Sequence, residues 1–203
     1  MSATLAPPAP SAAALLSERE RPFTAEEYHA MGRAGVLRRE DGRTELIAGR
    51  IIAMSPVGSR HLLCVNRLTN LFARRLVLAD PPVADLSVQN PIRLAPHYEP
   101  EPDLALLRPD LAEFPTAEDA LLVVEVSDTT ARYDREVKAP VYAAAGIPEL
   151  WIVLLDDEAV EVHREPTPDG YAEVTRCQAG DELAVSALPD LAPMTAADVL
   201  GAR

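Results

Sequence analysis

The sequence predicts an α/β fold, a mixed central β-sheet flanked by helices with additional antiparallel strands near the C-terminus. Three observations carry that prediction. The runs LLVVEVS (121–127) and ELWIVLL (149–155) are too continuously apolar for strands with one wet face, so they predict strands buried on both sides. A long segment from Ser59 to Leu78 repeats its apolar residues at helical spacing. Strand pairs with turn residues between them open and close the chain, bracketing the α/β middle.

The elements follow in order. Thr24-Ala25-Glu26-Glu27 places a hydroxyl three residues before a glutamate, the capping-box arrangement, and predicts a short helix ending near Gly32 to Gly35. TELIAGRIIAM predicts a hairpin, with strands at about 43–48 and 50–54 and Gly49 supplying the positive φ of a tight turn. In the long helix Leu62, Val65, Leu68, Phe72 and Leu76 form the apolar stripe, while Arg60, Arg67, Asn70 and Arg74 fall on another. Strands are predicted at 83–88, 91–94, 103–107 and 121–127, then a helix over 132–145 that Pro140 kinks or divides. The apolar pieces 159–163, 171–176 and 183–185 predict antiparallel strands, and a short helix from Thr195 to Leu200 closes the chain.

At 203 residues, 48% hydrophobic and 25% charged, the chain has the dimensions of one domain. The Ala- and Pro-rich residues 1–22 carry few large apolar side chains and are expected to form a disordered tail, leaving 23–203 as a single domain. No apolar run approaches the roughly 18 residues of a membrane span, and the N-terminus lacks signal-peptide organisation, so a cytoplasmic location is expected. Cys64 and Cys177 sit far apart in unlike contexts and read as reduced, structural thiols. A net charge of −13 argues against coating nucleic acid by bulk electrostatics, but it is compatible with divalent-metal binding.

The chemistry is concentrated in three residues: Asp103 entering one strand, Glu125 near the end of another, and Lys138 on the following helix. Two carboxylates and a lysine suit phosphodiester hydrolysis, because hard oxygen ligands hold Mg²⁺ and an ammonium steadies developing charge. Glu125 is the sharpest signal, since an isolated charge inside an apolar strand is costly. A core arginine partner, or a place at the strand's exposed end, would explain it structurally. Asp103 alone fits a solvated acidic loop, and Lys138 alone fits an ordinary helix surface; their weight comes from the set. Glu45 in the first hairpin can face the site or solvent. His61 can contact phosphate or assist proton transfer, or simply close a local hydrogen bond. Arg60, Arg67 and Arg74 can grip a phosphate backbone or form a solvated stripe. Ser127, Asp128, Thr129 and Thr130 are expected to cap the next helix.

The segments TELIAGRIIAMSPVGSRH, EPDLALL and LLVVEVSDTTARYDREVKAPVYAAAGIPELWIV together resemble the Uma-two family of restriction endonucleases, over about residues 23–163. That resemblance implies the PD-(D/E)XK restriction-endonuclease-like fold. It further implies a metal held by Asp103 and Glu125, Lys138 as catalytic lysine and Glu45 as auxiliary acid, with the carbonyl of Val126 as a further oxygen ligand. One departure from the broader motif matters: Ser127 stands where a lysine is expected two residues after the second acid, so Lys138 must reach the site from the helix. The expectation is therefore a Mg²⁺- or Mn²⁺-dependent endonuclease acting on nucleic acid, DNA above RNA. A homodimer is expected for symmetric cleavage of a duplex. The alternatives are a catalytically silent binding or regulatory module on the same fold, and a hydrolase of small phosphoesters.

Overall fold

The computed structural model describes residues 20–37, 42–79, 82–111 and 113–201. Of the expected disordered tail, residues 1–19 lie outside the described residues. Glu20, Arg21 and Pro22 are exposed; Glu20 pairs with Arg50, Arg21 with Glu27 at 2.7 Å, and Pro22 lies where a side chain on Gly49 would project.

Helix α1 (Ala25–Arg33) begins as its capping box predicts. The Glu27 N–H donates to Thr24 Oγ1 at 3.2 Å, and the Thr24 N–H donates to Glu27 Oε2 at 3.0 Å. Strands β1 (Thr44–Ile47) and β2 (Arg50–Ala53) form the expected hairpin around Ala48 and Gly49, whose φ values of 52° and 70° put both in the left-handed region. Such a two-residue turn matches the twist of its strands. Reciprocal backbone bonds of 3.1 and 2.8 Å between Leu46 and Glu99 then dock the hairpin on the chain that leads to Asp103.

The central sheet has the order β3 (Asp85–Val88), β4 (Leu104–Leu107), β5 (Ala120–Ser127), β6 (Glu149–Leu154), β7 (Ala159–Thr167) and β8 (Gly170–Cys177). All neighbouring pairs are antiparallel except β5 and β6, which are parallel. The sheet is therefore mixed. Helix α2 (Ser59–Val77) packs Val65, Leu68 and Phe72 into the core that holds Leu122, Val124 and Trp151. Ala139, Tyr142 and Ile147, from the β5–β6 crossover, join a second core with Val123, Leu150 and Ile152. Alternate residues of β5 thus enter opposite cores, which is why its sequence is apolar without alternation.

The crossover is a divided helix: α3 (Ala131–Tyr133), a π turn (Asp134–Lys138) and α4 (Ala139–Ala144). The division falls at the π turn, and Pro140 lies just after it, in the first turn of α4, where its missing N–H is tolerated. A small pair, β9 (Glu182–Leu183) with β10 (Met194–Thr195), precedes α5 (Ala196–Leu200), which Thr195 caps. Among the described residues no helix is long and apolar enough to cross a membrane. Both cysteines are free and buried.

Three expectations change. The 91–94 strand is reduced to an isolated bridge, Arg93 to Thr116: Pro91 has no N–H to donate, and the Ile92 N–H is bonded to the Pro100 carbonyl instead of to a sheet neighbour. Leu62, placed in the apolar stripe of the long helix, is 52% exposed. The buried stripe starts at Cys64, because the first turn of α2 stands at the mouth of a cleft and not over the sheet. The last piece, 183–185, is a strand only at Glu182–Leu183.

Candidate active site

The register between β4 and β5 builds the floor of the site. Leu104 lies opposite Val124, so one step further sets Asp103 opposite Glu125, and the next sets Pro102 opposite Val126. Pro102 has no N–H, so the Val126 carbonyl lacks the ladder donor it would otherwise meet there. The Val126 N–H is taken by the Asp103 side chain, donating to Oδ2 at 2.8 Å. The motif Pro102-Asp103 thus ends one ladder and places an acid beside an open carbonyl.

Glu125 is buried, and its Oε1 accepts from Lys138 Nζ at 3.0 Å and from the Tyr142 hydroxyl at 2.6 Å. Burial, reinforced by Asp134 and Asp103 and opposed by Lys138, pushes its carboxyl up to about 8. The Lys138 ammonium also lies 3.2 Å from Glu45 Oε2. Burial works against that charge, but Glu125, Glu45 and Asp134 outweigh it and raise the ammonium's pKa, so Lys138 stays protonated. Glu45 faces inward: it also accepts from the Glu101 N–H at 3.3 Å and the Tyr133 hydroxyl at 3.2 Å.

Asp103 receives a second donor on the same oxygen, His61 Nε2 at 2.9 Å, while Gln89 Nε2 approaches Oδ1 at 3.4 Å. Burial opposes its ionisation, yet His61, the Val126 N–H and Lys138 together hold the carboxyl below the usual aspartate range. Asp134, on the π turn, is buried and accepts from both Ser127 Oγ and Thr130 Oγ1 at 2.7 Å. Burial raises its pKa in spite of those bonds.

Glu45, Asp103, Glu125, Val126 and Lys138, the five positions that the sequence singles out, all line one cleft of about 690 Å³. His61 lines it too. The arginine stripe does not: Arg60 reaches Asp156 and Asp128, and Arg67 donates to the Val199 and Leu200 carbonyls at the end of α5. Ser127 and Thr130 serve Asp134, and neither hydroxyl caps α3. Sequence reasoning missed Asp134, Tyr133 and Tyr142. Asp134, Lys138 and Tyr142 stand at successive intervals of four, a spacing that offered the available signal.

Among the described residues no three His, Cys, Asp or Glu side chains gather as a metal cage. The donor set offered is two opposed carboxylates, an open backbone carbonyl and solvent access from the cleft. Such a set suits a hard cation that keeps part of its water shell.

A mixed sheet with helices on both faces and acids and a lysine converging at the β4–β5 edge defines an α/β protein of the restriction-endonuclease-like class. Residues 25–197 match the model of the Uma2 family, described as "Putative restriction endonuclease", and the chain belongs to that family. It is thus an enzyme of the nuclease type by family. The matched region extends beyond residue 163, where the resemblance in sequence stops, through β8 to α5. A crystal structure from Anabaena variabilis ATCC 29413, described as "a putative nuclease belonging to DUF820", is similar in fold. The TM-score is 0.65 at 15% identity, over 88% of this chain and 98% of that one. No curated protein matches the chain.

Proposed function

We propose that this protein is a Mg²⁺- or Mn²⁺-dependent endonuclease that hydrolyses phosphodiester bonds, with DNA its favoured substrate. The observation that carries the reading is the convergence of Asp103, Glu125 and Lys138 in one cleft, with Lys138 Nζ 3.0 Å from Glu125. The family description supports DNA over RNA.

Asp103, Glu125 and the Val126 carbonyl would hold the cation, while Glu45 and Asp134 both act on the neighbouring Lys138. When bound, a divalent ion supplies Lewis-acid activation of phosphate and water. The protein's own groups do the rest. Lys138, fixed between Glu45 and Glu125, presents an ammonium that orients the attacking water and offsets charge developing on the phosphate. Tyr142 and Tyr133 hold the two carboxylates on which Lys138 rests. Cleaving both strands of a duplex would take two such sites, for which a two-fold homodimer is the simplest assembly.

The test is cleavage of a panel of duplex, single-stranded and branched DNA and of RNA, with and without Mg²⁺ or Mn²⁺. Metal-dependent cutting is expected, reduced by about 100-fold or more in both Asp103→Ala and Lys138→Ala. No cutting of any form by the native chain would overturn the reading in favour of a silent binding module.

A further inference from the structure

Among the described residues His61 makes one polar contact, and that contact is Asp103. Its Nε2 donates to Asp103 Oδ2 at 2.9 Å, while its Nδ1 is buried without a hydrogen-bond partner. A histidine kept only to fill space would be replaced with advantage by an apolar ring, because an orphaned buried nitrogen is costly. The side chain is 15% exposed and sits in the first turn of α2, the turn that stands at the cleft instead of over the sheet.

The bond's effect follows from the arithmetic of lone pairs. Asp103 Oδ2 accepts from both His61 Nε2 and the Val126 N–H, two directional donors that occupy its two lone pairs. Among the described residues Oδ1 has only the long contact with Gln89 Nε2 at 3.4 Å. One carboxylate oxygen is therefore committed to the protein and the other is open.

We infer that His61 is a positioning residue, which together with the Val126 N–H clamps Asp103 through Oδ2 and presents Oδ1 as a single-oxygen ligand for the divalent cation. The inference rests on the metal-dependent reading above. It assigns His61 to holding a ligand, and gives it no contact with substrate. Outer-shell donors of this kind typically contribute about 10–100-fold in metal affinity.

Titration of the full-length protein with Mn²⁺, read as loss of the free-ion electron paramagnetic resonance signal, tests it without any need for turnover. Two substitutions separate positioning from packing. His61→Phe keeps a ring of similar shape without a donor, and His61→Gln places an amide N–H near the position of Nε2. The expected result is Mn²⁺ affinity weakened roughly 10–100-fold in His61→Phe, with affinity near native in His61→Gln. Thermal unfolding in chelator is expected to show both variants folded. His61→Phe binding as tightly as the native chain, or His61→Gln binding as weakly as His61→Phe, would overturn the clamp while leaving the metal-dependent reading intact. Absence of Mn²⁺ binding by the native chain would overturn both, and Asp103→Ala marks what lost binding looks like.

Discussion

At the residue scale, burial of a carboxylate does not by itself mark the site. Glu149 is completely buried, like Glu125, but it is satisfied by Trp151 Nε1 at 2.6 Å, Arg164 at 3.0 Å and the Ser186 N–H at 2.8 Å. Glu99 is held between His29 and Arg93. Each of these two is paired with an arginine, Glu149 with Arg164 and Glu99 with Arg93, whereas Glu125, Glu45 and Asp134 all act on the single cation Lys138. A second buried group makes a prediction about stability. Burial lowers the pKa of His163 below its ordinary 6.5, with Glu161, 3.6 Å away, opposing the shift. The unfolded chain takes up this proton first, so stability is full above about pH 6.5 and is lost as pH falls towards the folded-state value. In His163→Phe, which retains the edge-on ring contact with Tyr171, this part of the pH dependence is expected to vanish. Urea midpoints between pH 5 and pH 8 check it, and an unchanged slope would reject it.

At the element scale, the π turn decides which groups meet. Lys138 and Tyr142 are four residues apart, ordinary α spacing, and both reach Glu125 Oε1. Tyr133 and Lys138 are five apart, yet they reach the two oxygens of Glu45. In a regular α-helix residues five apart point about 140° away from each other, so both could not address one carboxylate. The wider turn, closed by the Ala139 N–H on the Asp134 carbonyl, brings them into line. Pro140 supports this geometry by removing the N–H that would otherwise close an α turn on Glu136. Pro140→Ala restores that donor and is expected to lower cleavage while leaving the unfolding midpoint at or above the native value. A variant of native activity would show that the π turn does not depend on the proline.

At the scale of the whole molecule, a net charge of −13 has to be reconciled with a polyanionic substrate. The arginines nearest the cleft are already engaged: Arg43 with Glu101 at 2.8 Å, Arg132 with Glu136 at 2.8 Å, and Arg60 with Asp128 and Asp156. On the metal-dependent reading proposed above, affinity for the backbone would come largely through the bound cation. Duplex binding by the native chain without divalent ions is expected to be weak, with a slope of log K against log salt shallower than about −3. A steep slope in chelator would instead reveal a basic track that the paired arginines do not account for.

Local chemistry made the architecture legible. Capping residues, the Ala48-Gly49 turn, helical spacing in α2 and apolar runs in β5 and β6 act over a few residues, so the sequence alone states them. The same logic exposed Glu125, because a charge inside such a run contradicts its surroundings. Asp103 and Lys138 were legible through family resemblance, since neither departs from ordinary loop and helix chemistry. Only the tertiary structure decided the rest: that Glu45 turns inward to Lys138, that His61 meets Asp103, that Asp134 collects two hydroxyls, and that Leu62 stays exposed. Periodicity tells which residues share a face, but what that face meets is set by strand register and helix docking between segments far apart in the chain.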